Sequence, residues 1–226
     1  KTMGKKSKDH GKKALRVARE EKRRAIFARL APCNALDDCG SSCLAPPLLA
    51  FEGLALRFAA ARDVDASTRD ALFALLEANM RAHYEASDWG WDEREKRGDL
   101  SSADARLLVA EDAAGAVAGF VHFRFEPDDD DEPRRAALYV REIQVAAARR
   151  GNGLGRRLMS LLHVLAAKLD LDAVMLTVFK ANAAAQRFYV EKLKYAVDGD
   201  DPANHGVDDA CYVILSRPLK RALAPS

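Results

Sequence analysis

Leu138-Tyr139-Val140-Arg141-Glu142-Ile143-Gln144-Val145, with Arg150-Gly151-Asn152-Gly153-Leu154-Gly155 after it, decides the fold. The first run is β-prone, and the second holds three glycines in six residues. Leu154, Leu158, Leu161, Leu162 and Leu165 then repeat as one apolar stripe at helical spacing. The pattern predicts strand, glycine turn, helix. Glycines let backbone N–H groups converge on an anion, and a helix N-terminus adds about half a positive charge. The turn is therefore expected to cradle a phosphate.

Outward from the turn, Val174 to Phe179 reads as the next strand. Asn182 opens a helix through Val190, and Lys194–Val197 and Cys211–Ser216 read as the last two strands. Upstream, Leu54 to Phe58 reads as a first strand. Ser67 reads as the N-cap of a helix carrying Leu72, Leu75, Leu76 and Met80 on one face. Trp89-Gly90-Trp91 lies in an aromatic turn before a short charged helix to Arg97. Arg106–Ala110 and Val117–Phe125 form a hairpin around Asp112-Ala113-Ala114-Gly115. Antiparallel strands before the glycine turn and a strand–helix–strand unit after it predict an α+β fold, a mixed and mostly antiparallel sheet flanked by helices. Residues 51–220 are expected to form this domain. Residues 1–50 are expected to supply a basic tail, a helix over 14–30 stopped by Pro32, and a linker. Residues 1–13 are expected to be disordered.

The 226 residues suffice for one sizeable domain. No apolar run approaches the roughly 20 residues a bilayer span needs, so no membrane is expected. The net charge of +2 hides an asymmetry: residues 1–30 carry twelve Lys/Arg against three Asp/Glu, and the rest carries 24 against 31. An acidic body disfavours a sequence-specific nucleic-acid groove and suits a cationic substrate. The basic tail is compatible with nuclear targeting, with ribosome contact, or with a solvated segment that binds nothing. Cys33, Cys39, Cys43 and Cys211 form no C-x-x-C pair, so free thiols are expected and no metal site.

A dinucleotide-binding unit would carry its glycines early, with an acid about 20 residues on. A Walker loop would need Lys-Ser/Thr after Gly155, where Arg156 stands. What fits is Arg-x-x-Gly-x-Gly, met by Arg150, Gly153 and Gly155. With the strand before it, and Asn182 and Phe188-Tyr189 after the next strand, this resembles the GNAT acetyltransferase superfamily, whose loop wraps the pyrophosphate of coenzyme A. Further motifs are Asn79-Met80, Tyr84-Glu85, Trp89-Gly90-Trp91, Arg94-Glu95-Lys96-Arg97, His122-Phe123-Arg124-Phe125, Val174 through Lys180, and Ile214-Leu215-Ser216-Arg217. From about Leu72 to Arg217 these resemble the NatD-type N-alpha-acetyltransferases, which modify the N-terminal amine of histone 4 and histone 2A.

The resemblance implies acetyl transfer from acetyl-CoA to a Ser-Gly-Arg-Gly tail, by direct attack in a ternary complex. Glu142 is the expected base. Strand alternation places it on the face of Leu138 and Val140, where a carboxylate is costly unless paired or working. A glutamate paired with an arginine or turned to solvent fits the same sequence, and a bulge would invert the alternation. Tyr84 and Tyr139 are expected to order the amine or relay its proton, although half-buried packing phenols also fit. Ile143, Gln144 and Val145 are expected to pair with the pantetheine amides. Backbone N–H groups from Arg150, Gly151, Asn152, Gly153, Leu154, Gly155 and Arg156 would take the phosphates, and Asn182 would touch the cofactor.

Trp89, Thr177 and Tyr212 resemble peptide-contacting residues of that family, and Glu126 falls where it holds the acceptor's arginine. Two positions depart from the pattern: Arg141 replaces a tyrosine of the peptide site, and Asp200 a substrate-contacting serine. A monomer in cytoplasm and nucleus, with histone tails as partners, follows from the same resemblance. Two rivals remain at this point: a GNAT enzyme acting on lysine side chains or a small amine, and a non-catalytic chromatin or ribosome adaptor.

Overall fold

Among the described residues eight strands form one sheet: β1 (Ala50–Phe51), β2 (Leu54–Ala60), β3 (Arg106–Glu111), β4 (Val117–Pro127), β5 (Ala136–Val145), β6 (Ala173–Phe179), β7 (Ala196–Val197) and β8 (Tyr212–Pro218). Their spatial order is β1-β2-β3-β4-β5-β6-β8-β7, and every neighbouring pair is antiparallel except β5 with β6. The architecture comes from a computed structural model, which describes residues 3–36, 38–39 and 41–219. Five α-helices among the described residues accompany the sheet: α1 (Met3–Asn34), α2 (Ala66–Glu85), α3 (Glu93–Ser101), α4 (Leu154–Lys168) and α5 (Ala183–Arg187). Among the described residues no helix is long and apolar enough to cross a membrane.

The sheet is buried on both faces. The leucine stripe of α4 lies against one face, where Leu154, Leu158, Leu161, Leu162 and Leu165 are all at most 2% exposed. Each such side chain contributes roughly 1.5–3 kcal/mol of burial. Ile26, Leu30 and Cys33 of α1 join that same core. Leu72, Phe73 and Leu76 of α2 and Leu100 of α3 pack with Leu107, Val109 and Phe120 on the opposite face.

Local chemistry moved several boundaries. Asp65, not Ser67, caps α2, its carboxylate accepting from the Thr68 N–H at 2.9 Å. Asp92 caps α3 in the same way. Helix α1 runs from Met3 through Pro32 to Asn34, so neither the disorder expected over 1–13, where residues 3–13 are described, nor the stop at Pro32 holds. Pro32 deprives the Ala28 carbonyl of its helical partner and crowds it, but only two residues of the helix follow, so little of the helix is disturbed. The chain after it is anchored. Asn34 donates to the Phe125 carbonyl (3.1 Å), Arg106 donates to the Asn34 carbonyl (2.8 Å), and Arg29 pairs with Asp172 (2.7 Å).

One irregularity positions everything that follows. In the β4–β5 ladder His122 faces Glu142, but the next residue, Phe123, faces Val140. Arg141 is the extra residue of a β-bulge, and the side-chain alternation reverses there. The expectation that Glu142 shares a face with Leu138 and Val140 is thereby overturned. Leu138 and Val140 stay in the α1/α4 core, whereas Glu142 turns to α2 and bonds Tyr84.

Candidate active site

The parallel ladder between β5 and β6 pairs Ala137 through Val140 with Ala173 through Leu176 and ends there. The bulge at Arg141 begins at that point. Beyond it β6 stays with β8, Thr177 to Phe179 pairing with Ile214 to Tyr212. The two strands therefore part, and a cleft of about 790 Å³ opens between them.

The glycine turn and the start of α4 floor one half of the cleft. Gly151 and Gly153 have φ of 81° and 86°, a conformation strained for residues with a Cβ. Gly153 is the α4 N-cap and offers no side chain to the first helical N–H groups. Arg157 already bonds back to the Gly153 carbonyl, so the earlier N–H groups of the helix have no acceptor within it. Arg149, Arg150 and Arg156 surround this end of the cleft. Converging donors without a cap, among three cations, suit a diphosphate. The fit to coenzyme A is good at Gly151 and Gly153–Arg156, all of which line the cleft. Asn152 is exposed on the outside of the turn and does not line it.

Ile143, Gln144, Val145 and Asn182 line the same half. On its β6 side β5 has no sheet partner past Val140, which leaves a strand edge for an extended ligand. The Val145 carbonyl is already occupied, accepting from Asn79 Nδ2 (3.3 Å) and Arg150 Nε (3.2 Å). The Asn182 side chain caps α5 through the Ala185 N–H at 3.1 Å, so its contact with a ligand would be through what remains of its amide.

Glu142 lies between the two halves. Tyr84 donates to its Oε1 (3.2 Å) and Gln144 to its Oε2 (2.9 Å); Gln144 in turn accepts from Asn79 (3.0 Å). Burial pushes the carboxyl up to about 7, against the Gln144 and Tyr84 hydrogen bonds and the Lys96 charge, which lower it. Burial beside Glu142 drives the Tyr84 phenol far above its usual value, so Tyr84 stays a donor. The Lys96 ammonium sits over the Tyr84 ring, 4.2 Å from its centroid. A carboxyl poised near neutrality at the end of a cleft suits a general base.

The other half is aromatic. Tyr84, Trp89 and Phe179 pack at centroid separations of 5.0–6.2 Å, and Tyr212 lies 5.0 Å from Trp89. Trp89 is half exposed at the rim. Thr177 lines the cleft, and Tyr139 does not; the two are joined hydroxyl to hydroxyl at 2.5 Å. Tyr139 is thus a support for Thr177 rather than a wall of the cleft.

Two expected acceptor residues are taken by arginines of the chain. Both Glu126 oxygens accept from Arg141 Nη2, at 2.7 and 2.9 Å. Asp200 pairs with Arg134 and belongs with Asp128, Arg135 and Asp198 in a network outside the cleft. The Asp128 side chain is wholly buried there, so the acidic loop begins as a structural clamp and not as a free charge run. Phe179, His83 and Arg149 also line the cleft and were missed as site residues. Phe179 ends the strand Val174–Phe179, and its place at the end of the strand that follows the glycine turn and its helix was the available signal. Among the described residues no group of His, Cys, Asp or Glu could hold a metal ion.

A family model described as "Acetyltransferase (GNAT) family" matches residues 70–195. A Dictyostelium discoideum protein described as "N-terminal acetyltransferase complex ARD1 subunit homolog" is 32% identical over 109 residues, 48% of this chain and 51% of that protein. The chain thus spans about half the length of the curated relative it matches. Among solved structures, a GCN5-related N-acetyltransferase from Kribbella flavida is 24% identical with a TM-score of 0.53, covering 74% of this chain and 99% of that one. Ard1 from Thermoplasma volcanium is 16% identical with a TM-score of 0.53, covering 75% and 99%. At these identities the two structures show a common fold.

Proposed function

The chain belongs to the GNAT acetyltransferase family, and on that premise we propose that it moves the acetyl group of acetyl-CoA to the free N-terminal α-amine of a polypeptide. The observation that carries this reading is Glu142, held by Tyr84 and Gln144 where the glycine cradle meets the aromatic rim. The relative described as an ARD1 subunit homologue supports the same acceptor class.

Acetyl-CoA supplies an acetyl thioester, which the amine nitrogen attacks with loss of the thiolate. The chain's residues do the rest. The turn from Gly151 and the first N–H groups of α4 hold the phosphates. An α-amine has a pKa near 8, so a mild base suffices. Glu142 takes the amine proton at its carboxylate, and Tyr84 keeps that carboxylate aimed. Trp89, Phe179 and Tyr212 exclude water and flank the acceptor. Tyr189, buried in the cleft wall, has its phenol pushed up by burial first and by Glu142 second, and remains a neutral donor near the leaving group's side.

The histone 4 and histone 2A tails are the specific acceptors we carry forward from the sequence resemblance, for a monomer acting in cytoplasm and nucleus with the basic N-terminal tail as a ribosome contact. The gathering of Tyr84, Trp89 and Tyr212 at one rim favours them; the Arg141–Glu126 pair does not. A panel tests the reading: a Ser-Gly-Arg-Gly peptide with a free N-terminus, a free-amine peptide lacking arginine, and an N-blocked peptide carrying lysine. Turnover of the free-amine peptides is expected. Turnover of the blocked lysine peptide alone contradicts it.

A further inference from the structure

Arg141 is the extra residue of the bulge, one position before Glu142. Its guanidinium stacks over the Tyr139 ring, 4.8 Å from the centroid. One nitrogen, Nη2, spans both oxygens of Glu126. The other two, Nε and Nη1, make no hydrogen bond among the described residues, and the side chain is 43% exposed where it lines the cleft. A guanidinium carries five N–H donors in one plane, so the three on Nε and Nη1 are unused.

We propose that Arg141 is the specificity-determining residue of the acceptor half, and that it selects peptides bearing a carboxylate within their first three residues. The proposal rests on the peptide-amine reading above and departs from its histone acceptors, whose third residue is an arginine. Two effects act together. Glu126 is neutralised within the chain, so an acceptor arginine arriving there meets a filled partner and a second guanidinium of like charge. With Nη2 held by Glu126 neither two-nitrogen fork is free, so Nε–H and Nη1–H each offer a carboxylate oxygen a single charge-assisted hydrogen bond. Tyr139 beneath fixes the plane of the ring of donors, which limits the rotamer entropy lost on binding. Because Arg141 and Glu142 are sequence neighbours, a carboxylate held by the first lies within a few residues of an amine held by the second. Selection of this kind acts on acceptor binding and leaves the chemical step alone.

The test uses the full chain with acetyl-CoA and three free-amine peptides differing only at the third residue: Ser-Gly-Asp-Gly, Ser-Gly-Ala-Gly and Ser-Gly-Arg-Gly. The wild type is expected to rank them aspartate, alanine, arginine in kcat/KM, with about tenfold between first and last, expressed in KM. Arg141→Ala is expected to bring the aspartate peptide down to the alanine peptide and to raise the arginine peptide. Glu126→Gln keeps Arg141 and removes its partner, so the aspartate preference should persist or grow. A wild-type preference for the arginine peptide, or a ranking that Arg141→Ala leaves unchanged, overturns the proposal. Calorimetric binding of the same peptides in the presence of coenzyme A separates this from failure of the function itself. If no peptide turns over but the aspartate peptide binds through Arg141, the peptide-amine reading falls and Arg141 stands; equal binding by wild type and Arg141→Ala removes Arg141.

Discussion

The two halves of the cleft are built by opposite means. The donor half is backbone: six consecutive residues turn through glycines into α4, and the ligand groups are N–H donors that any sequence with that conformation would present. The acceptor half is side chains drawn from separate elements: Tyr84 from α2, Trp89 from the turn before α3, Arg141 from the β5 bulge and Phe179 from β6, with Tyr212 of β8 packed against Trp89 outside the lining. A backbone cradle is recognised from local sequence and fails locally. A distributed rim depends on how five elements pack. One fold can therefore keep its donor and change its acceptor.

That contrast can be broken first at Glu142, where the halves join. Glu142→Gln is expected to lower kcat by about a hundredfold or more, the usual worth of a general base, with the acetyl-CoA KM nearly unchanged. A kcat within twofold of wild type would remove Glu142 as the base. Next in size is the donor half. Gly153→Val forces a β-branched residue to a φ of 86° at the helix N-cap. Its acetyl-CoA KM should rise by about tenfold or more in steady-state assays, with the peptide KM much less affected. Equal rises in both would mean that the halves are not separable.

Trp89→Ala strips the exposed rim and should raise the peptide KM several-fold while sparing the acetyl-CoA KM. The smallest effect is on stability. The native Glu142 carboxyl keeps its proton up to about pH 7, whereas an ordinary glutamate loses it near 4.5. Through that window the group increasingly favours unfolding, because the unfolded chain binds fewer protons. Glu142→Gln should therefore raise the melting midpoint by a few degrees at pH 8 and not at pH 4. A gain of equal size at both pH values would point to packing rather than charge.

Sequence and structure part along the same line. The strand, the glycine turn and α4 were legible because their periodicity and glycine spacing are contiguous. Loop, strand order and the Asn182 segment were enough for the family. The face of Glu142 was not legible, because one extra residue at Arg141 reverses every side chain after it and leaves no mark in composition. The loss of Glu126 and Asp200 to Arg141 and Arg134 was also hidden: acids far apart in sequence from their arginines read as free charge until the sheet brings them together. Asp65 could have been preferred over Ser67 as the α2 cap, since its carboxylate reaches Thr68 by the same spacing rule.

The most direct test of the account is the pH dependence of kcat for the wild type and Glu142→Gln on one free-amine peptide at saturating acetyl-CoA. With Glu142 as the base, the wild-type rate should climb through an acid limb centred near pH 7 and level off above it, and the variant should lack that limb. The same limb in both proteins would show that another group takes the proton.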